Sequence, residues 1–162
     1  MNDRAITQLA ARLGAACKRR GVMIAVAESC TGGGVGEAIT RIAGSSAWFE
    51  RGFVTYGNRA KEEMLGVLHS TLVSHGAVSG ATASEMARGA LARSPADLSV
   101  AVTGIAGPTG GSAMKPVGLV WFAWAHRAGA PQVRRFTFKG DRASVRGQAV
   151  AVALQGLIDL IG

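Results

Sequence analysis

The sequence predicts an α/β fold: a three-layer α/β/α sandwich around a mixed five-stranded sheet, mostly parallel with one antiparallel strand. Three observations lead there. Apolar runs of strand length alternate with stretches of helical spacing, the pattern left by helices that cross between parallel strands. Junctions rich in glycine, hydroxyl or polar residues follow three of those runs, at residues 29–34, 58–61 and 104–112. The last two runs are joined by residues 126–132, a connection suited to a hairpin rather than a crossover. Helices then cover both faces of the sheet.

Residues 3–20 place Ile6, Leu9, Ala10, Leu13, Ala16 and Cys17 on one helical face, with Asp3 as N-cap and Gly21 as stop. Residues 22–27 form the first strand, and residues 33–43 a helix ended by Gly44. Trp48 and Phe49 in the next connection are expected to pack. A strand covers residues 52–56, and Asn58 is placed to cap a short helix with Lys61 in its first turn. Residues 69–79 read as a polar linker with a short turn. Residues 80–93 read as a helix that turns Met86, Ala87, Ala90 and Leu91 inward. After Pro95 comes a buried strand at 98–103, then strands at 117–125 and 133–138. Asp141 caps a long helix through residue 161.

At 162 residues and 48% hydrophobic content, the chain is expected to form one globular domain over residues 1–162. Asp3, Arg4, Gln8, Arg12 and Lys18 interrupt the first twenty residues, so no signal peptide is expected there, and no membrane association is anticipated. Cys17 and Cys30 make no disulfide framework, which points to the cytoplasm. The net charge of +8 favours an anionic partner. The densest basic run is only Lys18, Arg19 and Arg20, and aromatics are 6% without basic interleaving, so a phosphorylated small molecule fits better than nucleic acid. His69 and His75 have no Cys or third His nearby, and no metal site is expected.

Residues 27–34 read as strand, glycine turn and helix start, with Ser29, Cys30 and Thr31 in the turn. First-turn N–H groups lack intrahelical partners and carry the positive end of the dipole, so an anion or oxyanion is stabilised there. The stretch matches neither G-x-x-x-x-G-K-[ST], nor G-x-G-x-x-G, nor the elbow G-x-S-x-G. Only Lys18, Lys61, Lys115 and Lys139 could supply a basic amine, since Arg cannot deprotonate. Lys61 has two readings: an amine whose pKa the helix dipole lowers, or a solvated cation pairing with Glu62. The loop with Gly104, Gly107, Pro108, Gly110 and Gly111 is either a ligand cradle or a mobile connection. The S-x-x-K match at Ser112 and Lys115 lacks a helical surrounding. Arg142 falls in a helix first turn, where a cation is disfavoured unless an anion binds. Parallel strands would bring Ser29 and Lys61 to one edge, a geometry that suits acyl transfer.

With these segments in view, the chain resembles the nicotinamide-nucleotide amidases, the family of the CinA C-terminal domain and PncC. The likeness rests on residues 27–33, on Val54, Thr55 and Tyr56 with Asn58 and Lys61, and on residues 75–79, 102–108, 115–118 and 140–142. It implies hydrolysis of the carboxamide of nicotinamide mononucleotide, with no metal or cofactor and with Ser29 as nucleophile, Lys61 as general base and Tyr56 assisting. It also implies that Thr31, Gly32, Gly33 and Asn58, with Thr103, Gly104, Gly107, Gly110 and Gly111, line the nucleotide site. Arg142 would be the phosphate partner, and a homodimer or higher homo-oligomer would form. Two departures bear on loop shape: Gly57 stands where Ser is more usual, and Thr109 lies in a loop commonly richer in Gly. Cys30 as nucleophile and a non-catalytic nucleotide- or nucleic-acid-binding module are the competing readings.

Overall fold

The computed structural model describes residues 2–162. Helix α1 (Asp3–Arg20) ends at Gly21, whose positive φ of 65° lets its N–H close back on Cys17 and Lys18. Its N-cap is Asn2 and not Asp3: the Asn2 side chain accepts from the Ala5 amide, which leaves Asp3 as the first-turn acid. Strand β1 (Ile24–Glu28) leads through the turn into helix α2 (Gly34–Thr40). A short 3-10 helix, Ser45–Ala47, precedes strand β2 (Phe49–Val54), three residues earlier than the sequence pattern suggested.

Helix α3 (Asn58–Leu65) has Gly57 as its N-cap, and the Lys61 amide bonds Gly57 O. Asn58 therefore lies inside the first turn and caps nothing. Helix α4 (His69–His75) occupies most of the stretch expected as linker. Its Thr71 and Leu72 are buried, and Thr71 Oγ1 donates to Glu85, a tertiary tie that a seven-residue pattern does not announce. Then follow α5 (Gly80–Ala92), β3 (Leu98–Gly104), β4 (Leu119–His126), β5 (Gln132–Thr137) and α6 (Arg142–Ile161), capped by Asp141 as expected.

The sheet runs β2-β1-β3-β4-β5. β1 pairs in parallel with both β2 and β3, while β4 is antiparallel to β3 and to β5. Four strands thus point one way and β4 alone is reversed. Helices α1, α2 and α6 cover one face and α3, α4 and α5 the other, which gives the three layers. Strand alternation sorts side chains by size. Ile24, Val26, Val100, Val102, Phe122 and Trp124 face the first group, while Ala25, Ala27, Ala101, Ala123 and Ala125 face the second. The alanine face lets α5 approach closely, to the point that Ser99 Oγ donates to Ala87 O within that helix, at 2.8 Å.

Helix α6 is the one element among the described residues long and apolar enough to cross a membrane. Its Val145, Ala149, Leu154 and Leu157 are instead buried in the core against the sheet and its covering helices.

Chain direction decides where a site can form. From β1 the chain reaches β2 on one side of the sheet, and from β2 it returns to β3 on the other side of β1. A crevice opens at the carboxyl ends of β1 and β3, where the order switches. Because β4 is reversed, the connection at 105–118 and the one at 138–141 also lie at that edge.

Candidate active site

Ser29 is the first residue past β1, and its amide donates to Val102 O at 2.9 Å, so β3 holds the start of the turn. The turn closes through Gly32 N to Ser29 O and Gly34 N to Thr31 O. Gly32 and Gly33 take φ of 58° and 101°, backbone that other residues rarely adopt. The helix start that follows does not wait for a ligand. The buried Glu28 carboxylate accepts from Val35 N at 2.8 Å and Gly36 N at 3.0 Å, so the first-turn donors expected to bind an anion are satisfied from within.

Lys61 is 1% exposed. Its Nζ lies 2.9 Å from Ser29 Oγ, 2.8 Å from Thr55 O and 2.9 Å from Tyr56 O. No carboxylate forms an ion pair with it among the described residues. Burial lowers its pKa to about 8. A neutral amine has two N–H bonds and one lone pair, and backbone carbonyls only accept. The ammonium form donates to all three oxygens; in the neutral form, N–H bonds to Thr55 O and Tyr56 O leave the lone pair to the Ser29 hydroxyl.

Ser29, Cys30, Tyr56, Lys61, Thr103, Gly104 and Arg142 all line one cavity of about 190 Å³, together with Ala77, Val78 and Ala106. Thr103 Oγ1 donates to Ala77 O at 2.8 Å and fixes that wall. Arg142, from the first turn of α6, donates to Gly107 O at 2.8 Å and to the Tyr56 hydroxyl at 3.2 Å. Tyr56 thus meets the Lys61 amine through its backbone carbonyl, while its ring lies exposed at the mouth. Burial pushes the Cys30 thiol up to about 11, with Arg146 and Lys61 opposing, so at neutral pH it is not a thiolate.

Other residues expected at the site lie outside that cavity. Asn58, Gly110 and Gly111 are exposed, Gly33 is half-buried, and Gly32 sits against Arg146. Thr31 is buried, and its Oγ1 has no hydrogen-bond partner among the described residues. Lys115 Nζ donates to His75 O at 2.6 Å, and it is the Lys115 backbone amide, not the amine, that meets Ser112 Oγ. Sequence reasoning missed the capping role of Glu28 and the carbonyls of Thr55 and Tyr56. Backbone acceptors carry no residue signature, whereas a Glu directly before the turn was a readable sign of an internal cap.

The CinA C-terminal domain family model matches residues 6–161. Nicotinamide-nucleotide amidohydrolase PncC of Escherichia coli strain K12 is 57% identical over 157 residues, covering 97% of this chain and 95% of that protein. The protein of the same name from Pseudomonas putida is 52% identical and covers 96% of each chain. Among solved structures, the competence/damage inducible protein CihA from Agrobacterium tumefaciens superposes with a TM-score of 0.96. It shares 50% identity, with coverage of 100% of this chain and 98% of that one. A family match across residues 6–161 and relatives more than half identical over nearly their whole length place the protein in the CinA C-terminal domain family.

Proposed function

We propose that the chain hydrolyses the carboxamide of nicotinamide mononucleotide to nicotinic acid mononucleotide and ammonia, with Ser29 as nucleophile and Lys61 as general base. The substrate reading is supported by the relatives named nicotinamide-nucleotide amidohydrolase. The mechanism is carried by one observation, the buried Lys61 amine 2.9 Å from Ser29 Oγ with two carbonyls taking its N–H bonds.

Ser29 Oγ attacks the carboxamide carbon as its proton passes to Lys61 Nζ. The resulting oxyanion needs fixed donors, and the turn that follows Ser29 supplies them. The Thr31 amide has no backbone acceptor among the described residues, and the Cys30 amide reaches only its own thiol. The Lys61 ammonium returns its proton to the departing nitrogen, ammonia leaves, and an ester to Ser29 remains. Water then attacks that ester with Lys61 again taking a proton, and the acid is released as Ser29 recovers its hydrogen.

The phosphate falls to Arg142 at the mouth. Its guanidinium has five N–H bonds, of which Gly107 O and the Tyr56 hydroxyl occupy two. The loop containing Gly107, Gly110 and Gly111 flanks the same side, and Thr103 and Gly104 line the carboxamide end. Two unpaired cysteines fit a reducing, cytoplasmic setting. A homodimer is the assembly expected, and light scattering measures it directly.

The test is ammonia release from nicotinamide mononucleotide without added metal, for the native chain beside Ser29→Ala and Lys61→Ala. Release by the native chain alone is the expected result. Full release by Ser29→Ala would overturn the mechanism, and none from the native chain would overturn the activity.

A further inference from the structure

Arg146 sits one helical turn beyond Arg142 on α6, half-buried, and lines no part of the cavity. Its Nε donates to Cys30 O at 3.2 Å and its Nη2 to Thr31 O at 3.1 Å. It pairs with no carboxylate among the described residues. A guanidinium that cannot lose its charge is thus held on two backbone carbonyls of the turn that carries Ser29. An apolar side chain could fill the same space without the cost of desolvating a cation. What it could not do is set the direction of two peptide planes.

That direction matters at this turn. Across a trans peptide the carbonyl and the next amide point opposite ways. With Cys30 O and Thr31 O held toward Arg146, the amides of Thr31 and Gly32 point away from it. The Gly32 amide closes on Ser29 O at 3.0 Å, while the Thr31 amide has no acceptor among the described residues. Gly32 and Gly33, both at positive φ, give the turn the freedom to flip a peptide. A flip of the Cys30–Thr31 peptide would put a carbonyl where an amide now stands, and would repel a developing oxyanion. A carbonyl bound to a cation also polarises its own amide into a stronger donor.

We infer that Arg146 is a positioning residue for the reaction at Ser29: it locks the Cys30–Thr31 peptide with the Thr31 amide available to the oxyanion, and the Thr31–Gly32 peptide with its amide closed on Ser29 O. The inference rests on the reading of Ser29 as nucleophile, and it assigns Arg146 no contact with substrate. Its loss lowers kcat and leaves KM for nicotinamide mononucleotide nearly unchanged.

The experiment compares native protein with Arg146→Met, Arg146→Lys and Arg146→Ala, using nicotinamide mononucleotide and ammonia release, with thermal unfolding in parallel. Arg146→Met is expected to lose roughly 100-fold in kcat, the scale of one oxyanion donor. Arg146→Lys, which can reach one carbonyl but not both in a fixed fork, falls between. Guanidinium ion at low millimolar concentration restores part of the kcat of Arg146→Ala and none of that of Ser29→Ala. Native kcat in Arg146→Met, or a loss carried by KM, would overturn the inference. Should Arg146→Met fail to fold, Arg146→Ala decides the matter: a deficit insensitive to guanidinium also overturns it. Absence of turnover in the native protein strikes the proposed function instead, so the two failures are separable.

Discussion

The Lys61 amine and the Ser29 hydroxyl are 2.9 Å apart at the end of a cavity, yet they come from different elements, α3 and the turn after β1. The contact exists because the Thr55 and Tyr56 carbonyls, between β2 and α3, fold back onto the same nitrogen. The amine is therefore oriented before any substrate arrives, and burial makes its neutral form accessible near neutral pH.

Activity should follow the neutral form of Lys61. Its pKa is lowered to about 8, so kcat/KM is expected to rise with pH through an inflection near that value and level off above it. A pH–rate profile measures this. A flat profile from pH 6 to about 9 would remove Lys61 from the role of base.

Stability should carry the same signature. The unfolded chain holds a proton on Lys61 up to the ordinary value of 10.5, whereas the folded chain releases it near 8. Between those values the unfolded state binds more protons, so folding stability from this group rises with pH. Below about 8 the penalty of burying the charge is fully present, and above 10.5 it is gone. Relative to Lys61→Met, the native protein should gain about 3 kcal/mol across that window, measured by urea unfolding at a series of pH values.

Arg142→Met should discriminate between substrates. Removing a charge-assisted partner of the phosphate is expected to raise KM for nicotinamide mononucleotide roughly 10- to 100-fold. Nicotinamide riboside, which lacks that phosphate, should be affected far less. Equal losses on both would assign Arg142 to the reacting end of the site or to holding Tyr56 and Gly107.

Glu28→Gln should weaken the fold just before Ser29. The carboxylate accepts from two amides at the start of α2, and a carboxamide presents only one oxygen to them. A loss of about 1–2 kcal/mol is expected in chemical denaturation. An unchanged midpoint would mean that water serves those amides equally well.

The layer order, the strand count and the single antiparallel strand were legible in the sequence because β1, β3 and β4 are compact apolar runs and the hairpin carries its own turn residues. What escaped were features set by tertiary contact. Helix α4 is held by Thr71 on Glu85, and the start of α3 by Gly57 O rather than by the Asn58 side chain. At the site, residue types pointed to Ser29 and Lys61, but nothing in the spacing of residues 55–61 could show two carbonyls converging on one amine. The expectation of an open anion site at α2 failed for a local reason, since Glu28 supplies the anion itself.

The reversal of β4 gives the molecule's two rims different loads. Five segments meet at one rim: the turn after Ser29, residues 55–57, residues 75–79, residues 105–118 and residues 138–141. The other rim receives the short link before β1, the link before β2, residues 66–68, residues 93–97 and the hairpin at 127–131. Changes of length or composition in that hairpin can therefore accumulate without touching chemistry, whereas every altered connection on the opposite rim is a change of substrate environment. Divergence in what such a scaffold accepts can proceed by editing one rim while the other bears the drift.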